Sequence, residues 1–282
     1  MSSNDEIKSE KILIKDVFEK WFNIPGYQRP FVWGYDEIHD LLDDVSFAAH
    51  SKPGSEYFLG SFVYQIKPPN PQKGQRFEEN DLLDGQQRMI TLLLLMAVLR
   101  DLSDNQQLKS TCQECIYQQA NTFKNIPERV RLQFEIREAA KAFVDEFVVL
   151  QDGTDRSKDL AKWAHGSKDL TVRNMATAVN TLRAFFEAKN CPISIEEFYS
   201  FLLNNVLLIY VATENLEDAF RLFTILNDRG IPLRNSDILK AQNLGTLESE
   251  IDKARYGRMW EQAEGELGDG EPSGPRGRRR IL

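Results

Sequence analysis

The sequence predicts an α+β protein, built on a small mixed β-sheet with a large, mostly helical insertion. Residues 57–66 and 206–211 are rich in aromatic, β-branched and other apolar side chains, which is typical of strands. Residues 86–102 have a helical pattern that is apolar on nearly every side, which predicts a helix buried in the core. Residues from about 104 to 205 have mostly helical periodicity and form the expected insertion.

The first part of the chain predicts a helix, a loop and a second helix. Residues 12–22 place apolar side chains at helical intervals. Residues 25–34 combine prolines and glycines with aromatic side chains, which favours an ordered loop over a flexible linker. Asp36 is placed to cap the next helix. The apolar face of that helix consists of Ile38, Leu41, Leu42 and Val45.

The remaining elements continue this mixed pattern. Residues 67–74 contain three prolines and predict a turn, and residues 76–83 then supply a second strand that completes a hairpin with residues 57–66. Within the insertion, residues 129–134 predict a short strand. The expected later helices are one capped by Asn215 and ending near Leu226, and one beginning at Asn235 or Ser236.

These elements suggest one main domain followed by two shorter segments. We expect the domain to span residues 12–245, because the motifs described below are spread over most of that range. Residues 246–263 predict a helical extension. Residues 264–282 are rich in glycine, proline and arginine, have little to pack, and are expected to be disordered. The arginines of this tail could touch nucleic acid, although such runs are more often solvated ends.

Charge and composition exclude several classes of protein. Lys plus Arg number 35 and Asp plus Glu number 43, so the formal net charge of −8 excludes a surface that is basic throughout. No apolar run reaches the roughly 20 residues that span a bilayer, and no secretion signal is evident, so we expect a cytoplasmic protein without a membrane segment. Three cysteines imply no disulfide framework. P-loop, dinucleotide-binding and serine-hydrolase motifs are absent from the sequence.

The most informative motif is the segment Asp84-Gly85-Gln86-Gln87-Arg88, which joins the second hairpin strand to the buried helix. Gly85 permits a tight turn, and the free N–H groups of the first helical turn form an anion site. Arg88 has the planar donors that suit phosphate, Asp84 could hold a metal ion, and the two glutamines could position a water or a base edge. In the alternative interpretation, Asp84 only caps the helix and Arg88 pairs with a carboxylate.

Two further segments carry polar groups in suggestive positions. Asn227-Asp228-Arg229-Gly230 ends a predicted helix, where it supplies either a second phosphate-binding guanidinium and a weaker metal candidate, Asp228, or an ordinary capping turn. The loop that contains Gln28 and Arg29 places an arginine among aromatic rings and prolines, which suits base stacking or phosphate binding as well as it suits an aromatic plug over the core.

Taken together and in this order, these segments resemble the N-terminal domain of GmrSD-type modification-dependent (type IV) restriction enzymes, which belongs to the ParB/sulfiredoxin-like superfamily. Four motifs over about residues 12–245 carry the resemblance. They are I-P-x-Y-Q-R-P-x-x-W from Ile24 to Trp33, F-L-G at Phe58–Gly60, D-G-Q-Q-R at Asp84–Arg88, and F-x-x-x-N-x-R-G-x-x-L from Phe223 to Leu233.

The resemblance implies a ParB-like domain that binds and hydrolyses a nucleoside triphosphate, GTP or another, with Mg²⁺ or another divalent cation. Hydrolysis would regulate attack on modified foreign DNA in phage defence. By this carry-over, the catalytic residues are Asp84, Gln86, Gln87 and Arg88, with Asp84 also the metal ligand. The nucleotide-binding residues are Gly85, Gln28, Arg29, Asn227, Arg229 and Gly230.

The resemblance also implies partners and leaves other functions open. Full-length relatives continue into a nuclease domain of the histidine, metal-finger type, so we expect such a domain or subunit as a partner, together with modified DNA and a possible homo-oligomer. The absence of that domain before Leu282 indicates either a naturally short regulatory half or a truncated chain. The main alternative is a non-catalytic sensor of nucleotide or modified DNA that relays to a partner nuclease. Direct DNA cleavage by this module is a third.

Overall fold

The computed structural model describes residues 7–69, 78–124, 126–135 and 137–215, together with scattered positions between 218 and 263. The chain divides into two units, Met1–Pro232 and Leu233–Leu282. All the elements and contacts below belong to the first unit.

A six-stranded mixed sheet organises this unit. The strands are β1 (Lys8–Leu13), β2 (Phe22–Ile24), β3 (Tyr57–Lys67), β4 (Glu79–Asp84), β5 (Tyr117–Gln118), β6 (Arg129–Val130), β7 (Leu132–Phe134) and β8 (Val206–Thr213). The order in the main sheet is β1-β8-β3-β4-β2-β7, and β5 and β6 form a separate ribbon. Pairs β1/β8 and β3/β4 are antiparallel, whereas β8/β3, β4/β2 and β2/β7 are parallel.

Helices pack around the sheet and confirm the α+β fold class. They are α1 (Ile14–Val17), α2 (Tyr35–Ser51), α3 (Gln86–Leu102), α4 (Gln106–Ile116), α5 (Glu138–Phe143), α6 (Ser157–Gly166), α7 (Leu170–Glu187) and α8 (Ile195–Asn204). A π-helical turn follows α5 at Val144–Val149. Among the described residues, no helix is long and apolar enough to span a bilayer.

Helix α3 lies at the centre of the core, as its sequence predicts. Its side chains from Met89 to Leu99 are buried on every side, because α4 and α7 both pack against it. Burying each such aliphatic side chain contributes about 1.5–3 kcal/mol relative to leaving it exposed. The hairpin β3/β4 and the buried strand β8 are also confirmed. The first turn of α3 is therefore held by a rigid core directly after β4.

The prediction of a single helix over residues 12–22 is wrong. The chain instead leaves β1 at Leu13, makes the single turn α1, and enters β2 at Phe22, whose N–H donates to Arg131 O at 2.9 Å. Ile14 and Val17 are fully buried. Spacings of three and four residues also arise when a short strand–turn–strand segment crosses the core, so the periodicity alone could not exclude that arrangement.

The predicted cap at Asp36 is also wrong. The N-cap of helix α2 lies two residues earlier, at Gly34, and the Glu37 carboxylate accepts the Gly34 N–H at 2.9 Å. Asp36 lies exposed in the first turn. The cap predicted at Asn215 is confirmed, because its Oδ1 accepts the Asp218 N–H at 3.3 Å. The end of that helix, the next helix start and the tail at 264–282 lie outside the described residues.

The insertion is mostly helical, as predicted, but it is not a separate layer. The strand predicted over residues 129–134 is present as β6 and β7, interrupted at Arg131. Strand β7 pairs in parallel with β2 and extends the main sheet, while α7 packs on both α2 and α3. The insertion therefore completes the same core that carries the candidate site.

Candidate functional site

The candidate site is the junction between β4 and α3. Asp84 ends the strand, Gly85 turns the chain with φ of 85°, and α3 begins at Gln86. A Cβ on Gly85 would lie 2.7 Å from the Cβ of Phe62, a contact that real side chains do not make. Only glycine combines this left-handed conformation with the close packing, so the glycine of the motif is a structural requirement of the turn.

The N-terminus of α3 has no side-chain cap, which suits an anion. The helix has 17 residues, its N-cap is a glycine without a capping side chain, and its first turn contains no acidic residue. The first N–H groups of a helix have no partners within the helix, and the helix dipole favours negative charge at that end. Arg88 belongs to this first turn, so donors and positive charge occur together.

Asp84 lies beside this helix end in a partly buried position. Burial raises the pKa of its carboxyl, while the Gly85 N–H and the positive charges of Arg88 and Arg29 act in the opposite direction. The Asp84 carboxylate accepts from the Gly85 N–H, and no side chain in the described part of the chain forms an ion pair or a hydrogen bond with it. The carboxylate therefore keeps acceptor capacity for a cation or a water.

Arg88 reaches back across the sheet from the first turn of α3. Its Nη1 donates to Ser61 O at 2.9 Å. Burial lowers the pKa of the guanidinium and the nearby Asp84 charge raises it, although arginine remains charged at physiological pH. No described carboxylate forms an ion pair with Arg88, so most of its five N–H donors are uncommitted among the described residues.

The two glutamines of the motif fasten the neighbouring loop to α3. Gln87 is buried, its Nε2 donates to Pro30 O at 3.0 Å, and its Oε1 accepts the N–H groups of Val32 at 2.7 Å and Trp33 at 3.3 Å. Gln86 is also buried, and its Nε2 donates to Arg29 O at 3.1 Å. The Oε1 of Gln86 is buried and has no hydrogen-bond partner among the described residues.

Gln28 fastens the same loop to the adjoining strand. Its buried amide donates to Leu82 O at 3.2 Å and to Leu83 O at 2.9 Å, which ties residues 25–34 to the end of β4. Gln28, Arg29 and the segment Asp84–Arg88 are therefore brought together, as the sequence predicts. The glutamines differ from the charged residues of the site, however, because their described side-chain hydrogen bonds are all made to backbone groups.

Side chains from the insertion hold the other side of this loop. They donate to or accept from its backbone at Gly26, Gln28 and Phe31. The bonds are Gly26 N to Glu135 Oε2 at 2.7 Å, Arg137 Nη2 to Gln28 O at 2.9 Å, Phe31 N to Thr171 Oγ1 at 3.2 Å, and Asn174 Nδ2 to Phe31 O at 2.8 Å. The sequence analysis missed these four residues, and no local pattern could have revealed partners more than a hundred residues away.

The remaining predicted residues, Asn227, Asp228, Arg229 and Gly230, lie outside the described residues. Ser61 and Gly60 contact Arg88 and were not predicted as site residues, although a glycine inside a strand is a signal of close approach. In the ranges that the structure describes, no group of three or more His, Cys, Asp or Glu side chains could hold a metal ion.

The comparison with known families identifies the family of this chain. The model of the GmrSD restriction endonuclease N-terminal domain matches residues 10–244. This chain belongs to the GmrSD N-terminal domain family. It is thus part of a restriction system for modified DNA, and the family implies a nuclease partner domain and a modified DNA target. No curated protein matches the chain.

Proposed function

We propose that this GmrSD N-terminal domain binds and hydrolyses a nucleoside triphosphate, GTP or another, and thereby regulates the nuclease domain or subunit of its restriction system. The observation that carries the proposal is the uncapped N-terminus of α3 with the Arg88 guanidinium and the Asp84 carboxylate beside it. An anion-binding helix end, a desolvated guanidinium and a carboxylate are the groups that phosphoryl transfer uses.

In this proposal, phosphate oxygens accept from the first N–H groups of α3 and from Arg88. Negative charge moves onto the transferred and leaving oxygens during phosphoryl transfer, and a guanidinium that is already partly desolvated stabilises it more strongly than one in bulk water. Arg29, whose charge also acts on Asp84, contributes to the same positive region. Asn227, Arg229 and Gly230 complete the nucleotide site by family resemblance.

A single carboxylate is compatible with Mg²⁺ at this site. Mg²⁺ retains several waters and is usually held by one or two carboxylates together with substrate phosphates, so it does not need a cage of protein ligands. Asp84 fits that requirement because no described side chain engages its carboxylate. When bound, the cation would supply charge neutralisation to the phosphates, and Asp84 would hold it or align a water.

Gln86 and Gln87 would then have unequal roles in catalysis. The described bonds of Gln87 are made to the loop backbone, so we assign it mainly to holding the loop. Gln86 keeps a buried Oε1 acceptor that has no partner in the part of the chain that the structure describes. Of the two, Gln86 is the one that can orient a water molecule while its Nε2 holds the loop.

The proposal is tested by measuring phosphate release from ATP, GTP, CTP and UTP with Mg²⁺, with and without modified DNA. We expect release from at least one triphosphate and its loss in the Arg88→Ala variant. Tight nucleotide or DNA binding without release would favour the non-catalytic sensor, and cutting of plasmid by the domain alone would favour direct cleavage. Sizing the same protein with and without nucleotide would show whether it forms homo-oligomers.

A further inference from the structure

The guanidinium of Arg88 packs against strand β3 at a glycine. Arg88 leaves the first turn of α3 and reaches β3, where its Nη1 donates to Ser61 O at 2.9 Å. The residue before this acceptor is Gly60. Its φ is 139°, and the register between β3 and β8 shifts between Phe58 and Gly60.

The missing side chain of Gly60 is what leaves room for the guanidinium. A Cβ at this position would lie 2.7 Å from Nη2, 2.8 Å from Cζ and 3.0 Å from Nη1 of Arg88. Because all three atoms lie at similar distances from this Cβ position, the flat face of the guanidinium packs against Gly60. An alanine here must displace the guanidinium, and the φ of 139° strains its backbone as well.

We propose that Gly60 is a positioning residue for Arg88, which keeps the guanidinium seated on β3 beside Asp84. The proposal deepens the proposed function and rests on it for its catalytic consequence. Ser61 O fixes one nitrogen, and the bare Cα of Gly60 supports the face of the group. The remaining N–H donors of Arg88 are then held at a defined distance from the N-terminus of α3.

The first test is the Gly60→Ala variant, measured by kcat and KM for phosphate release. A shift of about 1 Å in a positioned group can lower the rate about 100-fold, so we expect kcat to fall by at least about 10-fold. The control for the added methyl group alone is Gly54→Ala, because a Cβ at Gly54 meets no atom within 4 Å and Gly54 lacks the positive φ of Gly60. We expect this control to retain wild-type kinetics.

A double-mutant comparison separates positioning from general damage. If Gly60 acts through Arg88, Gly60→Ala will not weaken nucleotide binding further in an Arg88→Ala background, where phosphate release is too low to compare. An equal loss in both backgrounds would overturn the proposal. Where Gly60→Ala fails to fold, added methylguanidinium provides the second test, since it should restore part of the activity of Arg88→Ala whereas methylammonium should not. The absence of a guanidinium-specific rescue would count against the proposed placement of the guanidinium on β3.

A chemical readout makes the proposal independent of hydrolysis. Phenylglyoxal labels accessible arginines, and mass spectrometry of the Arg88 peptide gives the labelling rate. We expect labelling of Arg88 to be several-fold faster in Gly60→Ala than in wild type or Gly54→Ala. Unchanged labelling in a folded Gly60→Ala protein would overturn the positioning role. Faster labelling of Arg88 in Gly60→Ala, in a protein that releases no phosphate from any triphosphate, would support the positioning role of Gly60. It would also contradict the proposed hydrolysis.

Discussion

Two sets of polar side chains meet at the β4–α3 junction, and they are used differently. The amides of Gln28, Gln86 and Gln87 bond to backbone groups of neighbouring segments. The charged groups of Asp84 and Arg88 have almost no described partners, although both are partly buried. Residues adjacent in one pentapeptide therefore have different tasks: the glutamines stabilise the loop, and the charged pair is available for chemistry. Substitutions should separate the two sets.

The largest effect is expected for Arg88→Ala. Loss of an arginine that stabilises phosphoryl-transfer charge lowers the rate about 10³-fold or more, so phosphate release should become nearly undetectable. The melting temperature should change little, because Arg88 has a single described hydrogen bond, to Ser61 O. Arg173→Ala on the exposed face of α7 is the control. An Arg88→Ala protein with more than a tenth of wild-type activity would contradict the assignment.

Asp84→Asn should lower phosphate release by roughly 100-fold, as expected for loss of a group that positions the reacting water or cation. Its free energy of unfolding should not fall, because the substitution removes a carboxylate that burial disfavours and keeps the side-chain shape. Activity assays and urea unfolding of the same preparation check both parts. An equally active or clearly destabilised variant would show that Asp84 is a structural residue.

Asp81→Asn supplies the matched contrast on the same strand. Asp81 is also buried, but it forms an ion pair with Lys67 and accepts from Asn23. Lys67 is 41% exposed, which limits the cost of losing its partner to about 1–2 kcal/mol of unfolding free energy. We expect Asp81→Asn to lose stability and keep activity below its unfolding temperature, the reverse of Asp84→Asn.

Gln87→Leu should destabilise the fold without removing a reacting group. The change leaves Pro30 O and the N–H groups of Val32 and Trp33 without their partner, which costs about 2–3 kcal/mol. Urea unfolding measures the loss, with the exposed Gln107→Leu on α4 as control. A Gln87→Leu protein as stable as wild type but inactive would transfer this glutamine to the catalytic set.

The smallest expected effect is a pH dependence of the Asp84→Asn difference, measured without nucleotide or metal. Burial raises the pKa of Asp84, so the cost of its charge is absent below the unfolded-state pKa of about 3.9 and develops as pH rises through the raised folded-state value. The stability advantage of Asp84→Asn should therefore be smallest at acid pH and grow toward neutral pH. An advantage that shrinks as pH rises would contradict the direction of the shift.

Much of this architecture could be predicted from the sequence because it depends on dense local signals. The apolar run of α3, the hairpin β3/β4 and the buried strand β8 are each specified by neighbouring residues. The helix expected over residues 12–22 fails because periods of three and four residues do not distinguish one helix from a short turn between two strands.

The position of the site could be predicted from the sequence, but the different roles of its residues could not. The segment Asp84–Arg88 predicts a strand–turn–helix junction with an anion-binding helix N-terminus. That Gln87 bonds to residues 30–33 depends on a contact about 55 positions away along the chain, and that Thr171 and Asn174 hold Phe31 depends on contacts 140 or more positions away. Local patterns contain no information on such pairings.

The position of β8 has a consequence for the order in which the protein is made. This strand lies between β1 and β3, and β1 pairs with it alone in the part of the sheet that the structure describes. When synthesis has reached residue 205, β1 therefore has no neighbouring strand and β3 has one unpaired edge. Unpaired edges promote aggregation, so the nascent chain is exposed to that risk until residues 206–213 arrive.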